Sequence, residues 1–342
     1  MHLPSVSVII PTFNAGPFIV QAVESALFQT VPPAEVIVVD DGSSDDTSRQ
    51  LSFYEGRIRY LFQKNQGVSA ALNQGIREAN GQVIAFLGAD DVWHPRKLEI
   101  QLEAFAANPD CGLIGTTHFP WPTTSIPVVN SHGPLRLQDV TWEQLVVRNC
   151  LTASSVMVLR DVLASAGPFD TRIQGAEDHD LWIRIIKVAR VANIDLPLTG
   201  YRSVAGSLSK NPQLLRRNWQ IILSKLDDCL QFNRRRLLRR KACGYFSLMC
   251  SKVDAFNGDY GAAVGMVLRS FAEYPFPFSR NEVTYTCARP RSLIVNVLRM
   301  LHLKSGELAA RSASYGMNSG KAFAALRASV CPRNLEPVPS SF

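Results

Sequence analysis

Val83-Ile84-Ala85-Phe86-Leu87-Gly88-Ala89-Asp90-Asp91-Val92-Trp93-His94-Pro95 is an apolar run of strand length that stops at two adjacent carboxylates, after which Pro95 begins a new periodic segment. An apolar run bounded by turn residues reads as a strand buried on both faces. In an open α/β sheet, ligands gather at the carboxyl ends of the strands. Two acids at such a tip suit a hard cation, which takes oxygen ligands and bridges protein carboxylate to substrate phosphate. The same two acids would also serve to cap a helix starting near Pro95. These residues alone leave both readings open.

Upstream, Val6 to Ile10 reads as a buried strand ending at Pro11, and a helix follows from Pro17 to Gln29 with Val20, Val23, Ala26 and Leu27 on one face. Val36 to Val39 is a second strand and ends in Asp40-Asp41-Gly42-Ser43; Ile58 to Leu61 is a third, and Val68 to Ala79 is helical. This alternation predicts an α/β fold with a mainly parallel sheet flanked by helices. Two of its strands end in paired aspartates, at 40–41 and 90–91. Grouped negative charge is unfavourable unless a cation or hydrogen-bond donors offset it.

Downstream, the pattern predicts a helix from Pro95 to Asn108, a strand from Cys111 to Thr117, a surface loop over 119–138, a short helix from Thr141 to Arg148 and a strand from Ser155 to Leu159. From Glu177 the period is helical again. Asp178, Leu181, Trp182 and Ile185 share one face, so a carboxylate tops an otherwise apolar stripe. Acids in a first turn complement the helix dipole, and Asp180 can pair with Arg184. Asp178 fits that account less well than Glu177, because its face points inward, where a general base is needed.

The 342 residues, 46% hydrophobic and 19% charged, suit a folded chain of two units and exclude a mainly disordered one. No run reaches the roughly 18 apolar residues of a spanning helix. The start, Met1-His2-Leu3-Pro4, has no secretory pattern, and seven scattered cysteines suggest neither a disulfide framework nor zinc, so the cytoplasm is the expected compartment. Residues 1–210 hold 16 Lys+Arg and 21 Asp+Glu, a net of −5, whereas 211–342 hold 20 and 8, a net of +12. This predicts a boundary at 210, with a basic helical region over 211–342 whose tail from Ser312 is partly disordered. Its densest cationic run is Arg234 to Lys241, and Ser292 to Leu303 is amphipathic enough to lie on an anionic membrane, or to pack on the rest of the chain. Sparse aromatics and the lack of a known motif argue against nucleic acid. No GxGxxG follows the first strand, which argues against a dinucleotide enzyme.

Taken together, Val6 to Asn14, Glu24 to Thr30, Val36 to Thr47, Asn65 to Gly81, Phe86 to Leu98 and Gly175 to Arg184 resemble the family 2 glycosyltransferases of the GT-A fold, over most of residues 5–210. The resemblance implies a nucleotide-sugar donor, a divalent ion (Mg²⁺ or Mn²⁺) and inversion at the anomeric carbon. It implies that Pro11, Thr12 and Phe13 line the nucleoside pocket, that Asp41 accepts from the base with Asp40 beside it, and that Ala89 belongs to the donor site. Asp90 would be the metal ligand, Asp178 the base on the acceptor hydroxyl, Glu177 an acceptor-orienting group and Arg202 a phosphate contact. The expected acceptor is a glycan or lipid-linked sugar at the inner membrane face, with polysaccharide-assembly proteins as further partners. The family pattern often has an aspartate where Gly88 stands, which puts donor preference in question and keeps a sugar-nucleotide-binding subunit as the alternative. Leu72 stands where many relatives have arginine, and Ser203 and Val204 where some have histidine.

Overall fold

Alternate residues of the apolar strands face opposite sides, and each side finds its own helices. In the computed structural model, Ile9, Ile37, Ile84 and Phe86 lie in one buried cluster, while Val8, Ile10, Val38, Val83 and Ala85 lie in another across the sheet. Described are residues 3–122, 125–129, 135–204, 206–227, 235–279 and 288–313, with only the helix itself given over 302–313. The chain divides into two compact units, Met1–Phe246 and Ser247–Phe342.

The first unit carries β1 (Val6–Thr12), β2 (Glu35–Asp40), β3 (Arg59–Phe62), β4 (Val83–Phe86), β5 (Val92–Trp93), β6 (Cys111–Trp121), β7 (Leu137–Asp139), β8 (Met157–Leu159) and β9 (Arg190–Arg202). They form one sheet in the order β3-β2-β1-β4-β8-β6-β9-β5, with β7 also paired to β9. The parallel arrangement expected of the early strands holds: β3, β2, β1 and β4 are parallel neighbours. Beyond them the sheet is mixed, because β8 enters antiparallel to both β4 and β6. β6 continues past Thr117 to Trp121 and runs parallel to β9, with register shifts about Thr117. Residues 119–138 are therefore not all loop; positions 123–124 and 130–134 of that stretch lie outside the described residues.

Helices α1 (Gly16–Leu27) and α4 (Lys97–Ala107) cover one face, and α3 (Val68–Glu78), α5 (Trp142–Val147) and α7 (Glu177–Ile185) the other. Two short helices, α2 (Thr47–Leu51) and α6 (Arg160–Ala166), complete the αβ connections. On α7, Leu181, Trp182 and Ile185 are fully buried, as the stripe requires. Phe86 meets Phe169 edge-on at 5.5 Å and Trp182 at 6.3 Å. Along α3, Val68 N donates to Gln174 Oε1 (3.0 Å), Ser69 Oγ to the Ile173 carbonyl (2.6 Å) and Asn73 Nδ2 to the Phe169 carbonyl (2.9 Å). The first unit extends beyond residue 210, because α8 (Pro212–Asp227) sinks Trp219, Ile222 and Leu226 into its core. It also takes the start of α9 (Arg236–Phe256), where Phe246 stacks on Trp219 at 4.8 Å.

In the second unit, α9 continues into α10 (Tyr260–Glu273), capped by Asp259, and α11 (Ala288–Ala313) follows. Arg289 is buried there, donating to the carbonyls of Ser270, Tyr274 and Phe276 between the rings of Phe271 and Phe278. The tail from 314 lies outside the described residues.

Candidate active site

The tips of β1 and β2 are tied together before any ligand is considered. Asn14, in the left-handed region at φ 50°, accepts at Oδ1 from Ser44 N (2.8 Å), and its own N–H donates to Ser43 Oγ (2.9 Å). Asp40 is fully buried and accepts from Ser43 N and the Tyr60 hydroxyl, both at 2.8 Å. Asp41 accepts from Gln63 Nε2 (2.6 Å), Gln66 N (2.8 Å) and Gly67 N (2.7 Å), so it closes the loop leading into α3. Beside it, the Thr12 hydroxyl is buried and without a partner among the described residues. Burying a polar group unpaired costs free energy, so this atom fits a ligand contact. Pro11 is half-buried and Phe13 is half-exposed at the mouth.

Asp90 and Asp91 follow β4, and neither caps α4: that helix starts at Lys97, and its N-cap residue, Arg96, makes no side-chain cap bond. Of the two readings of this stretch, the capping one fails. Two residues of β-structure intervene, since β5 pairs Val92 with Gly200 and Trp93 with Thr199 on β9. That pairing carries Arg202 past the acids. Asp91 accepts from Ser154 Oγ (2.5 Å) and Arg202 N (2.9 Å). Its carboxyl is pushed up to about 7 by burial and by the charge of Asp90. Asp90 is also raised by burial, against the opposing field of Arg202 and Lys210. The Arg202 guanidinium donates to the Asp90 carbonyl (2.8 Å) and Gln21 Oε1 (2.6 Å) and lies 4.9 Å from the Phe18 ring. It holds the acid loop in shape from one side. Ala89 is buried in the apolar cluster, so it offers a donor only its backbone.

At the start of α7, Asp178 accepts from Asn149 Nδ2 (2.9 Å) and His179 N (2.7 Å), and also from the Ala153 backbone. Burial nonetheless raises its pKa, as desolvation of the charged form outweighs the donors. Glu177 accepts from Gly175 N at 2.5 Å and is pushed up to about 7 by burial and by Asp178. It secures the turn before the helix. Asp180 pairs with Arg184 (3.0 Å) as its spacing predicts, and also with Lys225 (2.7 Å). His179 bonds the Leu145 carbonyl, and the His94 backbone is tied into β9 and the Gln29 side chain.

These groups meet through shared neighbours. Tyr201 feels Asp91, Asp90 and Asp178 together, and its hydroxyl, hydrogen-bonded with Ser209, is raised by burial and then by those charges. Asp41 binds Gly67 N, and Gly67 packs so closely on Gln174, on the segment leading to Glu177, that an added Cβ would stand 2.3 Å from it. Sequence reasoning missed Lys210, Asn149 and Ser154. None sits in a motif; each is brought in by tertiary contact. Among the described residues, no three His, Cys, Asp or Glu side chains gather to hold a metal alone. Asp90, an oxygen donor in the field of a second buried carboxylate, suits a hard cation whose other ligands are phosphate and water.

The sequence model of the family described as Glycosyl transferase family 2 matches residues 7–157. An Escherichia coli protein named UDP-Glc:alpha-D-GlcNAc-diphosphoundecaprenol beta-1,3-glucosyltransferase WfgD is 30% identical over 226 residues, covering 64% of this chain and 85% of that one. An uncharacterized glycosyltransferase of Rickettsia felis is 33% identical over 217 residues, 60% of this chain but 34% of that protein. The chain thus spans about a third of the length of that relative. Among solved structures, S. aureus TarS 1-349 in complex with UDP-GlcNAc aligns with a TM-score of 0.60 at 17% identity, over 88% of this chain and 92% of that one. The mannosyltransferase PcManGT from Pyrobaculum calidifontis, in complex with GDP-Man and Mn2+, aligns at 0.52 with 19% identity over 88% of each. At these identities the likeness is one of fold.

Proposed function

The chain belongs to glycosyltransferase family 2, and from that premise we propose that it moves a sugar, with inversion, from a nucleotide-diphosphate donor to a hydroxyl of a lipid-linked or surface-polysaccharide acceptor. The observation that carries this reading is the family match over residues 7–157, and the raised hydroxyl of Tyr201, which senses Asp91, Asp90 and Asp178, accords with it. In a single displacement, base and leaving group stand on opposite sides of the anomeric carbon, the directional logic of inverting glycoside chemistry. Asp178 takes the acceptor's hydroxyl proton as the new C–O bond forms and the bond to phosphate breaks. Asn149 and the N–H groups of Ala153 and His179 keep its carboxylate in one orientation. Asp90 would hold a divalent ion, Mg²⁺ or Mn²⁺, which when bound stabilises the charge developing on the diphosphate. Arg202 and Lys210 add positive field on the same side.

Thr12 and Asp41 are the groups we assign to the base, which favours a uracil or thymine nucleotide; the UDP-sugar named for TarS and for WfgD supports this choice. The diphosphoundecaprenol acceptor in the name of WfgD supports a lipid-linked one here. Among the described residues no helix is long and apolar enough to cross a membrane. On α11, however, Ile294, Leu298 and Leu301 are 60%, 50% and 51% exposed at helical spacing. We assign this stripe to peripheral contact with an anionic membrane at its cytoplasmic face. Loss of the chain's partitioning to anionic vesicles in the triple glutamine variant of these positions is the expected result; unchanged partitioning would remove the stripe from that role.

Asp178→Asn should lower transfer by about 10²–10⁴-fold while leaving UDP binding with Mn²⁺ intact, measured by radiolabel transfer and calorimetry. Retained turnover would exclude Asp178 as the base. Nucleotide binding by the unaltered chain with no turnover on any donor would favour the binding-subunit reading.

A further inference from the structure

The short turn Ala153–Ser155 touches both halves of the proposed site. Its Ala153 N–H points to Asp178. Its next residue, Ser154, is 4% exposed and makes four hydrogen bonds at the acid tip. Ser154 Oγ donates to Asp91 Oδ2 at 2.5 Å and accepts from Gly88 N at 2.9 Å. Its carbonyl accepts from Trp93 Nε1 at 2.7 Å and from Thr199 Oγ1 at 3.4 Å. One residue therefore grips the acid loop before Asp90, the carboxylate after it, and the two strands, β5 and β9, that follow.

Gly88 is shaped to this contact. A Cβ there would lie 3.1 Å from Asp90 Oδ1, 3.2 Å from Ser154 Oγ and 3.3 Å from Asp91 Oδ2. Three oxygens thus converge on a Cα that carries no side chain. The hydroxyl also settles a division of labour: Asp91 is occupied by Ser154 and the Arg202 backbone. No hydrogen bond from another residue is identified for the Asp90 carboxylate among the described residues, and it lies in the field of Arg202 and Lys210.

We propose that Ser154 is a positioning residue that holds Asp90 and Asp91 in the geometry for cation-bound diphosphate and, through the adjoining Ala153 N–H, sets their spacing from Asp178. This inference rests on the glycosyltransferase reading above. A hydrogen bond between neutral surface groups would matter little, but one to a buried carboxylate is among the stronger kind. Thr152 and Ser155 flank Ser154 with the same chemistry, yet no hydrogen bond identified for them reaches the acids.

The test uses the full chain with UDP and GDP as probes, each titrated with and without Mn²⁺. Ser154→Ala should weaken Mn²⁺-dependent nucleotide binding about tenfold or more, the size that loss of a hydrogen bond to a charged group supports. Gly88→Ala, which crowds the same three oxygens from the other side, should reproduce that loss and stands in if Ser154→Ala does not fold. Ser154→Ala added to Asp91→Asn should cost little further, since contacts that act through one partner are not additive. A plain loss of folded protein lowers the number of binding sites and leaves Kd unchanged, so an altered Kd separates positioning from stability. Unchanged Kd in both folded variants, or full additivity with Asp91→Asn, would overturn the inference. If the unaltered chain binds neither nucleotide, the glycosyltransferase reading fails and takes this inference with it.

Discussion

The two aspartate pairs, 40–41 and 90–91, are the same dipeptide at or beyond the ends of two parallel strands, β2 and β4, that flank β1, yet the fold surrounds them differently. At 40–41, five donors meet the two carboxylates, two of them the backbone N–H groups of Gln66 and Gly67 and one the N–H of Ser43. Those bonds build the loops around the pair. At 90–91, Asp91 alone is engaged by Ser154 and Arg202, and Asp90 is left under burial and opposing charge. What decides the role of an acid pair is the supply of donors around it, a tertiary property that the dipeptide does not carry.

The comparison breaks most visibly by exchange of effects. Asp90→Ala should abolish the tightening of nucleotide binding by Mn²⁺, a loss of about tenfold or more, with little change in melting temperature. Asp41→Ala should instead lower stability by about 1–3 kcal/mol for each donor left unsatisfied, seen as a fall in Tm by calorimetry. If Asp41→Ala erased the metal effect and Asp90→Ala did not, the assignment of the two tips would be reversed.

A smaller effect sharpens the electrostatic side. Asp91 and Glu177 are both pushed up to about 7, so the folded chain binds these protons more tightly than the unfolded chain does. Stability from this source is therefore greatest below about pH 4 and falls as pH rises to about 7. Added Mn²⁺ should raise Tm more at pH 7.5 than at pH 5, read by thermal shift; an equal rise at both would detach the acids from the cation. Smaller again, Glu177→Gln should flatten the decline between pH 4.5 and 7 by on the order of 2 kcal/mol, in denaturant titrations at each pH.

Where the chain repeats strand and helix with clean periodicity, from Val6 to Ala107, its architecture was legible, because burial on both faces writes itself as continuous apolar runs. β9 was not, because Asn193, Asp195 and Pro197 interrupt any alternation and its long ladder with β6 defines it instead. The reversal of β8 was equally hidden, since a strand's composition does not record its direction. In the site, the carboxylates were visible as acids at strand and helix ends. Ser154, Asn149 and Lys210 were not, as a hydroxyl, an amide or an amine gains meaning only from the partner the fold gives it.

The hydrogen bonds along α3 have a mechanical consequence. Val68, Ser69 and Asn73 bind the 169–174 segment at three levels, and Asp41 anchors the loop just before the helix. The loop that Asp41 closes and the segment leading to Asp178 are thus riveted to one strut, so a displacement of either is passed to the other through α3.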